Sequence, residues 1–211
     1  MLSYLKILDL GIRSRPWLFD ITSLERRAEA TKVLDGWRES GFDLIKFRDN
    51  TAQYIGVELN WKKTYARNLS RYSSCICAVN ADGQHLPFAN DTFNLVILSE
   101  IMSIPSCSSH CEKGFLPISD REKLNILNEA IRTLKTSGLL ITSDVQTAQF
   151  GEVGYNRLRD LHRQGALQLR YIDPNFHRGV FEKMPVGHSS NNLDILNRWW
   201  PESAGDADVF C

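Results

Sequence analysis

The sequence predicts an α/β protein: a doubly wound sheet, mostly parallel, with an antiparallel last strand. Three observations predict it. Short apolar runs (YLKILDLG, YIGVEL, CICAVN, FNLVILSE and LLITSD) have strand length and near-continuous hydrophobicity, as strands covered on both faces do. Segments with apolar residues at helical spacing separate most of these runs, and such alternation argues for parallel pairing through crossover helices. The second, third and fourth runs lead into polar or acidic residues: Glu58, Asp82, and Ser99 with Glu100. In a parallel sheet, neighbouring carboxyl ends open onto one crevice where ligands bind. Acceptor side chains gathered there suit a nucleoside, whose ribose hydroxyls and exocyclic amine are donors.

Taken in order, YLKILDLG (4–11) reads as a buried strand stopped by a glycine. Ser23 is a candidate N-cap for a helix over 24–41, with Leu24, Ala28, Val33, Leu34 and Trp37 at helical spacing and Gly41 at the C-cap. FDLIKFRDN is ambiguous. YIGVEL is the second strand, and KKTYARNLSRY a helix with Tyr65 and Leu69 one turn apart. CICAVN and FNLVILSE are the third and fourth strands. A long loop, SIPSCSSHCEKGFLPIS, follows. Asp120 can cap the helix REKLNILNEAIRTLKTSG, which should end at Gly138. LLITSD is the fifth strand, GYNRLRDLHRQG a helix, LQLRYI a strand, and DADVFC (206–211) a candidate for the antiparallel last strand.

A chain of 211 residues is expected to form one domain over 1–211. Hydrophobic residues at 43% and charged residues at 24% are ordinary for a globular core. The formal net charge is zero, so no electrostatic footprint for nucleic acid or an anionic membrane is expected. The first residues do not form a secretory signal, and no apolar run is long enough to span a bilayer, so a soluble cytoplasmic protein is expected. Five cysteines without regular spacing suggest no disulfide framework.

The ordered set GVELN, ADGQHLPFANDTFNLV and LNEAIRTLKTSGLLITSD resembles the class I S-adenosylmethionine-dependent methyltransferases, in particular the small-molecule, methyltransferase type 11-like group. The resemblance covers roughly 54–144. It implies a Rossmann-like fold, S-adenosylmethionine as cofactor and a small-molecule acceptor. It places Glu58, with Leu59 beside it, at the cofactor's ribose and Asp82 with Gly83 at the adenine; Ser99 closes the fourth strand at the same crevice. From Glu58 to Asp82 is 24 residues, near the family's strand–helix–strand spacing. The "E-x-x-R-x-L-K" helix is matched by NEAIRTLK.

The family's glycine loop, "D-x-G-x-G-x-G" after the first strand, has two possible matches. In ILDLGIRSRPW, Asp9 and Gly11 match while Arg13 and Arg15 stand at the second and third glycines. In VLDGWRESGF, Asp35 and Gly41 match while Trp37 and Glu39 stand at glycine positions. The first is preferred because KILDLG is the better buried strand, whereas KVLDGW continues a helical pattern. With glycines missing in either match, the alternative to an enzyme is a catalytically inactive methyltransferase-like protein acting as a binding or scaffolding partner.

The remaining candidates read blandly. Cys107, His110 and Cys111 are soft or imidazole ligand types close together, but a closed zinc site needs four ligands, so no metal is expected. Cys75 and Cys77 fall in a strand expected to be buried. His162 is expected on a helix surface. Trp199 and Trp200 are expected to pack the last strands. His110, Glu100 and His162 are weak general-base candidates, and the loop over 103–119 is a plausible lid.

Overall fold

The computed structural model describes residues 5–11, 52–59, 76–98, 101, 117–142, 152–173 and 178–187. They form seven strands and two helices: β1 (Leu5–Leu10), β2 (Ala52–Glu58), β3 (Ile76–Asn80), β4 (Phe93–Leu98), α1 (Asp120–Thr133), β5 (Leu134–Thr142), α2 (Glu152–Arg163), β6 (Leu167–Asp173) and β7 (Arg178–Lys183). The sheet order is β3-β2-β1-β4-β5-β7-β6. β3, β2, β1, β4 and β5 pair in parallel, while β7 runs antiparallel to both β5 and β6. The expected doubly wound, mostly parallel sheet is thus present. The helices expected over 24–41 and 62–72 lie outside the described residues.

The register sorts the strand residues onto two faces, because neighbouring side chains along a strand alternate. On one face Leu8, Leu10, Val57, Val96, Leu98, Leu140 and Phe181 are buried and form one apolar cluster with Ile126, Leu127 and Ala130 of α1 and Leu158 and Leu161 of α2. On the other face Ile7, Asp9, Tyr54, Leu95, Ile97, Ile141 and Val180 are equally withdrawn from water. Double coverage explains the near-continuous apolar runs of β1, β4 and the second half of β5.

Three expectations need correction. The helix N-cap is Ser119, not Asp120: its hydroxyl accepts from the Glu122 amide and the Glu122 carboxylate accepts from the Ser119 amide, a capping box. The helix stops at Thr133 rather than Gly138, because its last carbonyls find partners outside the helix. The Leu134 amide bonds Ala130 O, the amides of Asp91 and Thr92 bond Arg132 O and Thr133 O at 3.1 and 2.8 Å, and Lys183 Nζ bonds Ile131 O at 2.9 Å. Gly138 instead lies in a bulge of β5: Phe93 pairs with Leu134 and Leu95 with Leu139, so Lys135 to Gly138 stand opposite Asn94. A Cβ on Gly138 would lie 2.8 Å from both Lys135 O and Leu134 Cδ1.

The antiparallel strand among the described residues is β7, a segment for which the sequence alone suggested no element; the candidate at 206–211 lies outside the described residues. β7 is inserted between β5 and β6, pairing Leu139–Thr142 with Glu182–Gly179 on one side. Lastly, β3 is an edge strand with Cys77 and Ala78 exposed, not a strand covered on both faces. Among the described residues no helix is long and apolar enough to cross a membrane.

Candidate functional site

Strand order reverses at β1, which has β2 on one side and β4 on the other. In open α/β sheets that switch point, at the carboxyl ends, is where a ligand crevice forms. The first strand is Leu5–Leu10, so Asp9 and Gly11 are the residues at this point; the rival match at Asp35 and Gly41 lies outside the described residues. Gly11 has φ of 78°, a left-handed conformation that glycine alone adopts cheaply, and its amide bonds Val57 O at 2.9 Å. The chain therefore turns sharply off β1 while still tied to β2.

Asp9 is fully buried beneath this turn, paired in register with Gly56 of β2 and Ile97 of β4. The Tyr54 hydroxyl donates a hydrogen bond to Asp9 Oδ2. Tyr54 pairs with Ile7, two residues before Asp9, and Gly56 has no side chain to obstruct the ring on its way there. Asp9 thus anchors the end of β1 from below.

Glu58 ends β2, half-buried, in register with Asn80 of β3. With its carboxamide oriented by its neighbours, Asn80 donates to the carbonyl oxygens of Glu58 and Leu59 at 2.9 and 2.7 Å. That pins the turn off β2, where Leu59 is 55% exposed. Beyond β3, Asp82 makes a turn: its Oδ1 accepts from the Gln84 amide at 2.9 Å and its carbonyl from the His85 amide at 3.0 Å. Gly83 runs against α1, where a Cβ would sit 3.4 Å from Ile126 Cγ1. Gly11 thus follows β1, Glu58 and Leu59 close β2, and Asp82 and Gly83 lie two and three residues beyond the end of β3. Ser99 and Glu100 lie outside the described residues; the last described residue of β4, Leu98, pairs with Leu10 of β1.

Sequence reasoning missed the residues that hold the loop after β3. Arg132 of α1 donates to Phe88 O (2.8 Å), Leu86 O (3.1 Å) and Asn90 Oδ1 (2.8 Å), and forms a two-pronged pair with the Glu129 carboxylate at 2.7 and 2.8 Å. Glu129 Oε2 accepts from the Leu86 amide at 2.9 Å. The Arg132 hydrogen bond holds the Glu129 carboxyl below the ordinary carboxylate range, and the same contact raises the Arg132 guanidinium. The available signal was the E-x-x-R spacing of NEAIRTL, which puts both side chains on one helix face.

His162 is 2% exposed, not on the helix surface as expected. It shares the inner side of α2 with Leu158 and Leu161, and its Nδ1 lies 3.0 Å from Leu167 O. Leu167 begins β6, which runs parallel to β5, so His162 lies at the opposite end of the sheet from the crevice. It is not placed to serve as a base there. Cys75, Cys107, His110, Cys111, Trp199, Trp200 and the loop over 103–116 lie outside the described residues.

No protein-family model matches the chain. It is 25% identical over 177 residues, 83% of its length, to an uncharacterized methyltransferase found in two strains of Mycobacterium leprae. It spans 59% of the length of those relatives. Among solved structures, it superposes on a proposed O-methyltransferase of Nostoc punctiforme with a TM-score of 0.51 and 13% identity, covering 87% of this chain and 53% of the other. It also matches a S-adenosylmethionine-dependent methyltransferase of Methanosarcina mazei, with a TM-score of 0.40, 14% identity, and coverage of 87% and 74%.

Proposed function

We propose that this chain, which has the class I S-adenosylmethionine-dependent methyltransferase fold, binds S-adenosylmethionine across the carboxyl ends of β1, β2 and β3 and transfers its methyl group to a small-molecule acceptor. The observation that carries the reading is the pairing of a left-handed glycine at the end of β1 with an acid at the end of the adjacent β2. A glycine there lets backbone amides approach a ligand that a Cβ would hold off. An acid there can accept from both ribose hydroxyls.

The residues divide the work. Glu58 binds the ribose, with exposed Leu59 offering apolar surface beside it. Asp82, oriented by the Gln84 amide on Oδ1, presents Oδ2 to the exocyclic amine of adenine, and Gly83 lets its loop lie close on α1. Gly11 shapes the methionine end, and Asp9 supports it from below. Ser99 would complete the crevice from the end of β4. Arg13 or Arg15, at the missing glycine positions, would pair with the cofactor's carboxylate. The bound cofactor supplies a methyl group already activated on a sulfonium. The protein's part is then to orient an acceptor in line and exclude water, for which the loop over 103–119 is the candidate cover. The neutral net charge favours a small molecule over a nucleic acid, and a cytoplasmic site of action suits the cysteine usage.

Calorimetry with S-adenosylmethionine and S-adenosylhomocysteine tests the reading. Micromolar binding is expected, and no heat at millimolar ligand from folded protein would overturn it. The two arginines at glycine positions favour a second reading, a methyltransferase-like partner protein without catalysis. Cofactor retained in purified protein, detected by mass spectrometry, would count against that reading.

A further inference from the structure

We infer that the Glu129–Arg132 pair of α1 is a positioning device for adenine recognition: it holds the loop over 82–90 in the shape that brings Asp82 to the exocyclic amine. The inference rests on the proposed cofactor reading and deepens it.

A guanidinium has five N–H donors, and here all five have an acceptor. Nε and one Nη2 hydrogen go to the Glu129 carboxylate; the other Nη2 hydrogen goes to Leu86 O; the two on Nη1 go to Phe88 O and Asn90 Oδ1. Glu129 in turn holds the Leu86 amide. One ion pair thereby fixes acceptors on three loop residues and one donor, in a segment that has turns and no ladder hydrogen bonds of its own. The Leu86 side chain is buried in the cluster with α1.

The order reaches Asp82 through two further contacts. Asn125 Nδ2, one turn earlier on the same helix, donates to Gln84 Oε1 at 3.1 Å, and the Gln84 amide holds Asp82 Oδ1 at 2.9 Å. The helix therefore grips the loop at Gln84, Leu86, Phe88 and Asn90, and Asp82 leads into the gripped segment. A lysine at 132 could keep the charge but not the planar fork that spans these acceptors.

The test uses the whole chain and two ligands, S-adenosylhomocysteine and its analogue lacking the 6-amino group. Wild type is expected to prefer the amino form by tenfold or more, through Asp82. Arg132→Lys is expected to narrow that preference at least fivefold, and to speed amide exchange over 82–90 in the ligand-free protein. Glu129→Gln is expected to do the same in milder form and serves if Arg132→Lys does not fold. Asp82→Asn removes the preference by itself, and adding Arg132→Lys to it should narrow nothing further. An unchanged preference in a variant whose loop exchanges faster would overturn the inference and leave the cofactor reading standing, since the pair would then serve stability alone. Unchanged exchange would also overturn it. Wild type that binds neither ligand would overturn the cofactor reading, and this inference with it, before any variant is made.

Discussion

Replacing Tyr54 with phenylalanine removes one oxygen and keeps the ring. Tyr54 is 2% exposed and Asp9 not at all, so no bulk water stands ready to take the hydroxyl's place at Asp9 Oδ2. The apolar burial of the ring is unchanged, so the difference is the loss of the hydroxyl's own contacts, the bond to Asp9 Oδ2 among them. A buried hydrogen bond contributes about 0.5–1.5 kcal/mol net, and about 1.5–3 kcal/mol where its partner is ionised, and these set the expected loss. For a chain of this size each kcal/mol moves Tm by about 2–4 °C, so the midpoint should fall by about 1–12 °C. Urea unfolding followed by fluorescence should show a lower midpoint at an unchanged slope, because the surface exposed on unfolding is the same. A double-mutant cycle with Asp9→Asn should return a coupling of about 1 kcal/mol or more. A loss under about 0.5 kcal/mol, the scatter of neutral surface changes, would refute the reasoning, as would an additive cycle.

Glu58→Ala should lower affinity for S-adenosylhomocysteine by about 1–3 kcal/mol with little change in unfolding midpoint, because a half-buried strand-end acid supports no core; calorimetry paired with a melt separates the two. Gly138→Ala pushes a methyl to 2.8 Å from the Lys135 carbonyl, and overpacking of this kind costs about 1–3 kcal/mol, to be read as a lower urea midpoint. Ser119→Ala removes the hydroxyl half of the capping box and should cost about 0.5–2 kcal/mol. The hydrogen bonds from Ser119 hold the Glu122 carboxyl low, so the stability they add is present above the ordinary glutamate range and is lost as pH falls through the lowered value. Glu129, held low by Arg132, has the same sign. Tm measured from neutral pH down to about pH 3 should therefore fall in wild type, and Ser119→Ala, which removes the hydroxyl's bond but keeps the backbone amide's, should reduce Glu122's share of the fall.

The parallel half of the sheet was legible because β1, β2 and β4 are buried and their apolar runs say so. Glu58 and Asp82 were legible as strand-end acids, and Gly11 as a strand stop, since each depends on neighbours close in sequence. What escaped depends on distant partners. RGVFEK has only Val180 and Phe181 as apolar residues, and becomes a strand because β5 and β6 offer it edges on both sides. The end of α1 escaped because Asp91, Thr92 and Lys183 supply the groups that let the helix stop. β3 reads like an interior strand, and only the strand order puts it at the rim. The loop clamp was visible as spacing, but nothing in Glu129 and Arg132 names their acceptors at Leu86, Phe88 and Asn90.

The insertion of β7 between β5 and β6 sets an order on synthesis. A ribosome delivers β5 first, then α2, then β6, and only afterwards the strand that joins them. Among the described residues, Arg178 to Lys183 alone pair with Leu139–Thr142 of β5 on this side and with β6 on the other, so both lack that partner until β7 is made. An open apolar edge of this kind is a template for pairing with another chain. β7 is therefore the strand that closes this edge, and a chain in which it cannot pair would leave the sheet open beside β5.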